Sequence, residues 1–285
     1  MINHLKIKTM TFKIKDLIKR RPALCYFILT FFISWTGAFI LVASKLINGI
    51  PIPRLDGILM FPVMLLGPPS ASIILTRIID GKQGVRNMLS RMGVWKVSFR
   101  WYVLILLLPP TLILIALLFL KNWVSLAFTP NFALTGILYA IPAGLFEEIG
   151  WTGFAFPKLR LKNNFIKSGL LLGILWGFWH LPVIDFLGGA FPHGKYLILF
   201  FIAFVVLMTA VRIIISWIYT NTGSILLAQL MHIISTGSLA IFSPTGVSPI
   251  QEASWYIFYA ALFWVVVIIV LYKKRHSDGS KISAS

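Results

Sequence analysis

The sequence predicts an all-α, polytopic membrane protein, a bundle of eight transmembrane helices with both termini cytoplasmic, and three observations lead there. Apolar residues fill 58% of the 285 positions and charged residues only 12%, too little polar surface to cover a soluble core of this size. Eight apolar stretches approach the roughly 20 residues that a spanning helix needs: 23–44, 57–78, 101–120, 133–157, 168–187, 196–219, 223–242 and 254–272. With the N-terminus inside, 22 of the 26 Lys and Arg residues fall on the inner side, the bias that orients membrane proteins. Strands of a membrane barrel would be shorter and would alternate.

Taken in order, the chain opens with a basic arm, residues 1–22, in which Lys13, Lys15, Lys19, Arg20 and Arg21 interleave with Phe12, Ile14, Leu17 and Ile18. Such a segment either lies on an anionic membrane surface or serves as a solvated positive-inside signal. The first apolar stretch lacks a small-residue cleavage site and reads as a retained helix. The transmembrane domain then runs over 23–272, and a short polar tail, 273–285, is expected to be cytoplasmic and unstructured. Pro68-Pro69 and Pro109-Pro110 remove backbone donors from the second and third spans and should kink or break them. The loop over 79–100 combines charge with Trp95, Phe99 and Trp101, residues suited to a membrane interface.

The net charge of +18 does not imply nucleic-acid binding, because the basic residues lie between hydrophobic spans and not on one folded face. A single cysteine, Cys25, excludes an internal disulfide and reads as an inert thiol. The absence of an internal repeat removes support for a proton-coupled transporter.

Only eight acidic residues exist, and two of them, Glu147 and Glu148, fall inside the fourth span. A charged group in a bilayer costs about 2.5–3.5 kcal/mol even on permissive scales and is usually kept for function. Of five histidines, His180 and His232 also lie within apolar stretches. Counting along the helices puts Glu147 about 15 Å, His180 about 18 Å and His232 about 14 Å from the inner side at 1.5 Å per residue. One carboxylate and two imidazoles therefore reach one depth. Such a set suits hydrolysis, with Glu147 and His180 activating a water and His232 stabilising the oxyanion. The same Glu147, His180 and His232 could instead hold a catalytic zinc, and the residues alone leave both readings open. Asp185 reads as an interfacial residue, and Arg212 as an inner-boundary charge.

At these positions the sequence resembles the CPBP family, the CAAX proteases and bacteriocin-processing enzymes also called Abi. Phe146 to Leu159, FEEIGWTGFAFPKL, resembles its first motif, a double glutamate followed by an arginine. Trp176-Gly177-Phe178-Trp179-His180 resembles the second, and Thr222 to Leu227 leading to His232 the third. Arg91 to Pro110 resembles the family's pre-helix segment, so the likeness covers about 90–240.

The resemblance implies an intramembrane endopeptidase in the cell membrane, acting on a membrane-associated peptide or a lipidated CAAX-like or bacteriocin-precursor protein. It assigns the water to Glu147 with His180, support to Glu148 and the oxyanion to His232, with no cofactor required. It also implies an eight-helix bundle with a cavity open to the cytoplasm. Three positions depart from the motifs. Thr152 stands where the arginine is usual, Trp176 where phenylalanine is usual, and Thr236 where Asn or Asp follows the last histidine. These departures open an alternative, a catalytically weakened member that binds peptide or confers bacteriocin self-immunity.

Overall fold

The computed structural model describes the backbone of residues 15–282 and the side chains through Lys274. Among the described residues helix dominates and no strand occurs. Ten α-helices follow one another: α1 Pro22–Ile47, α2 Arg54–Met64, α3 Gly67–Ser90, α4 Phe99–Trp123, α5 Ile137–Gly150, α6 Phe156–Arg160, α7 Phe165–Trp179, α8 Leu197–Thr222, α9 Ile225–Phe242 and α10 Pro249–Ile282. Every apolar stretch of the sequence contains α-helix, the second and fourth in two pieces. Six helices are long and apolar enough to cross a membrane. The two stretches that fall short hold the glutamate pair and His180: α5 has 14 residues and α7 has 15.

The first Pro-Pro pair acts as expected. The second span breaks after Met64, and Pro68 and Pro69 sit in the first turn of α3, where a missing N–H costs nothing. The second pair does not break its span, because α4 runs unbroken through Pro109 and Pro110 and the Tyr259 hydroxyl donates to the Pro109 carbonyl at 3.2 Å. Between α5 and α6, Trp151–Ala155 forms a π-helical turn, a feature common beside functional residues.

Three boundaries correct the sequence expectation. Helix α7 stops at Trp179 and not near 187, so His180 caps a helix end and is not enclosed in a span. Leu181-Pro182 explains this, since the residue before proline avoids helical backbone. Helix α10 starts at Pro249, five residues earlier than 254, and brings Glu252 into its first turn. Its backbone continues to Ile282, so most of the expected tail is helical. Of the basic arm, residues 1–14 lie outside the described residues; residues 15–20 are helical, with Ile18 buried.

Two close helix contacts fix the interior. A Cβ on Gly144 would meet the Gln229 carbonyl oxygen at 2.8 Å and Ile233 Cγ1 at 2.5 Å, so α5 lies directly on α9. A Cβ on Gly173 would meet Thr209 Cα at 2.6 Å, bringing α7 onto α8. Three or four residues beyond each contact stand the polar groups of the interior: Glu147 and Glu148 on α5, Trp176 on α7 and Arg212 on α8. Close backbone approach is what lets short side chains on neighbouring helices touch.

Candidate active site

Trp176 is the hub. Its indole Nε1–H donates to Glu147 Oε2 at 2.6 Å, its ring meets His232 edge-on at 5.0 Å and His180 at 5.9 Å, and the Arg212 guanidinium carbon lies 4.2 Å from its centroid. A phenylalanine could supply the ring but not the N–H. Trp151 Nε1–H gives Glu147 Oε2 a second hydrogen bond, at 3.0 Å. The other oxygen, Oε1, is buried with no hydrogen-bond partner among the described residues and stands 4.0 Å from His232 Nε2.

Glu148 is the opposite case. Arg212 grips it with a two-pronged fork, Nη1 to Oε2 and Nη2 to Oε1, both at 2.7 Å. His232 Nδ1 donates to Oε1 at 2.7 Å, and the Thr152 hydroxyl donates to Oε2. All four groups are buried. The reading of Arg212 as an inner-boundary charge is therefore corrected. It lies ten residues before the end of α8, with no exposed surface, because a guanidinium whose two terminal nitrogens are paired with a carboxylate can sit where a lone one would have to reach water. No local signal pairs Arg212 with a residue 64 positions away, and Thr152 by itself reads as a lost cation.

Both histidines have a fixed tautomer. His180 Nδ1 faces the Trp176 carbonyl at 2.9 Å and must donate to it, as His232 Nδ1 must donate to the Glu148 carboxylate. In the neutral rings both Nε2 atoms are left as lone pairs. Phe61 stacks on His180 at 6.0 Å with an interplanar angle of 17°. Thr236, one turn beyond His232, borders the same space.

That space is a cavity of about 290 Å³ bounded by Glu147, Trp176, His180, His232 and Thr236. Its other walls come from one direction only: Tyr139 before Glu147 on α5, Leu239 to Ser243 after His232 on α9, Phe186 to Gly188 after His180, and Arg54 at the start of α2. All lie at the end of the bundle away from the basic 79–100 and 158–167 loops. The cavity lining therefore extends toward that end.

A second buried polar cluster, which the sequence reading passed over, lies at that end. His193 Nδ1 is 2.9 Å from Asp185 Oδ1, and Nε2 is 3.2 Å from Glu252 Oε2. Glu252 also accepts from the backbone N–H groups of Gly189 at 2.7 Å and Ala190 at 2.5 Å. Burial opposes charge on His193, but the hydrogen bonds and charges of Glu252 and Asp185 outweigh it and raise its pKa above the ordinary 6.5. Asp185 is thus a partner of a buried imidazole and not simply an interfacial residue. Ser248-Pro249 ahead of an apolar run was the available signal for this helix start.

Among the described residues no three His, Cys, Asp or Glu side chains are grouped so as to hold an ion; with each Nδ1 donating, the Nε2 atoms of His180 and His232 are the ring nitrogens left free beside Glu147.

Comparison with known proteins agrees with this architecture. Residues 129–238 match the family model for type II CAAX prenyl endopeptidases, Rce1-like. The CAAX prenyl protease 2 of Methanococcus maripaludis is 26% identical over 264 residues, spanning 87% of this chain and 92% of the relative. The matched segment contains all three motifs, the π-helical turn, Arg212 and His232. With six apolar helices of spanning length among the described residues and this likeness along nearly its whole length, the chain is a multi-pass membrane protein similar to the CAAX prenyl proteases.

Proposed function

We propose that the protein is an intramembrane endopeptidase that hydrolyses a peptide bond near the C-terminus of a membrane-associated, CAAX-like substrate. The observation that supports this most is the asymmetry of the glutamate pair. Glu148 has four donors, whereas Glu147 Oε1 faces His232 Nε2 at 4.0 Å and has none among the described residues. A carboxylate left so in a protein interior is costly unless it has work to do.

In this reading a water beside Glu147 Oε1 gives that oxygen its proton and attacks the scissile carbonyl, while His180 Nε2 accepts a hydrogen bond from the same water and orients it. His232 Nε2, protonated while its Nδ1–H rests on Glu148, donates to the oxyanion. Glu147 then passes the proton to the leaving amine, and the products are a shortened chain and a short C-terminal peptide. Arg212 acts through Glu148, holding His232 at the required angle, and is a positioning residue. It supplies from α8 the cation that the motif would place at Thr152. Thr236 is a second donor near the oxyanion.

The test is cleavage of a farnesylated tail peptide by protein reconstituted in lipid. Glu147→Gln should lose about 10²–10⁴-fold in kcat, and chelator should leave the wild-type rate unchanged. Full cleavage by Glu147→Gln would remove Glu147 from the mechanism, and no cleavage by the wild type would remove the protease reading and favour a peptide-binding member.

A further inference from the structure

Arg54 lines the cavity together with Glu147, His180 and His232, yet nothing in the hydrolysis uses it. Its guanidinium donates one hydrogen bond, from Nη2 to the Gly188 carbonyl, and lies 5.9 Å from the Phe191 ring centroid. Its Nε is buried with no hydrogen-bond partner among the described residues. It forms no ion pair among them either, and the nearest acid in sequence, Asp56, is held by Lys45 at 2.8 Å. An arginine bordering an apolar cavity without a counter-charge is poorly stabilised by itself, and its planar fork matches a carboxylate.

Position identifies which carboxylate. Arg54, Ile58 and Phe61 all border the cavity, and their spacing of four and then three residues puts them on one face of α2. Phe61 stacks on His180. Arg54 lies seven residues, about 10 Å of helix rise, farther along the cavity. The guanidinium thus borders the same cavity about two helical turns from the level of His180.

We propose that Arg54 binds the free C-terminal carboxylate of the substrate. The proposal rests on the endopeptidase reading. It makes the protein a carboxylate-anchored endopeptidase that recognises its substrate by the chain end. Glu252, by holding Gly189 and Ala190, keeps the adjacent Gly188 carbonyl where it orients the guanidinium.

The test uses two farnesylated peptides, identical except that one ends in a carboxylate and the other in a carboxamide. Reconstituted wild type should cut the acid with kcat/KM about 10- to 100-fold above the amide, mainly through KM. Arg54→Gln should cut both at the amide's rate, and Arg54→Lys should keep part of the preference. Equal cleavage of both peptides by wild type, or a preference that survives in Arg54→Gln, would overturn the proposal. Because the readout is a ratio within each variant, a general loss of folding does not imitate it. Binding of the same peptides to Glu147→Gln separates the two ideas. If wild type cuts neither peptide, the endopeptidase reading fails, and Arg54 is then judged by whether the acid still binds more tightly and loses that advantage when Arg54→Gln is added.

Discussion

Two buried acid–base clusters lie in this bundle, and they differ in one respect. At Asp185, His193 and Glu252 both ring nitrogens are engaged, and the Glu252 oxygens are taken by the imidazole and two backbone N–H groups. At Glu147, Glu148, His180 and His232 the satisfaction is uneven: Glu148 is saturated by Arg212, His232 and Thr152, while Glu147 Oε1 and the ring Nε2 atoms border a cavity. A satisfied polar network makes a fold unique. An unsatisfied atom beside a cavity is stabilised only by something the protein brings in. Buried charge by itself therefore does not distinguish structure from chemistry; the accounting of lone pairs and protons does.

The comparison can be broken most decisively at Arg212. Arg212→Ala leaves Glu148 buried without its cation and should cost about 3–5 kcal/mol of stability, read by denaturation in detergent, and should abolish cleavage with it. Adding Thr152→Arg to that variant returns a guanidinium to the same carboxylate and should restore much of both. In the wild-type background Thr152→Arg sets a second cation beside Arg212 and should lower activity. Next in size, Glu252→Gln replaces an acceptor with an amide facing two backbone donors and should cost about 1–3 kcal/mol, visible as a lower melting temperature and, through Gly188, a weaker carboxylate preference. The smallest effect is that of pH. His193 has its pKa raised by the folded state, so its stabilisation is complete below 6.5 and is lost as pH rises through the higher folded value. The melting temperature of wild type should fall across that window, and His193→Gln should flatten the profile.

Much of this was legible in the sequence, for reasons that also explain the rest. Hydropathy finds where a helix must be dry, so every apolar stretch contains a helix, and the cost of burying carboxylates singles out Glu147 and Glu148. It does not report where a helix stops: α7 ends at Trp179 because of Pro182, within a run that stays apolar to Leu187. Nor does it report partners across the bundle. Arg212 and Glu148 are joined by the closeness of α7 and α8 at Gly173 and of α5 and α9 at Gly144, a tertiary fact with no local trace. Glu252 escaped because the apolar window began after it. Arg54 stands in a short segment between two apolar stretches, where its seven-residue distance from Phe61 has no meaning until Phe61 is seen stacked on His180.

The most direct test of the contrast between a saturated and an unsatisfied carboxylate is to measure cleavage rate and melting temperature together for Glu147→Gln and Arg212→Ala. Glu147→Gln should lose cleavage by about 10²–10⁴-fold with its melting temperature near wild type, whereas Arg212→Ala should lose both. Wild-type cleavage by Glu147→Gln, or the same collapse in stability for both variants, would contradict the division of labour between the two glutamates.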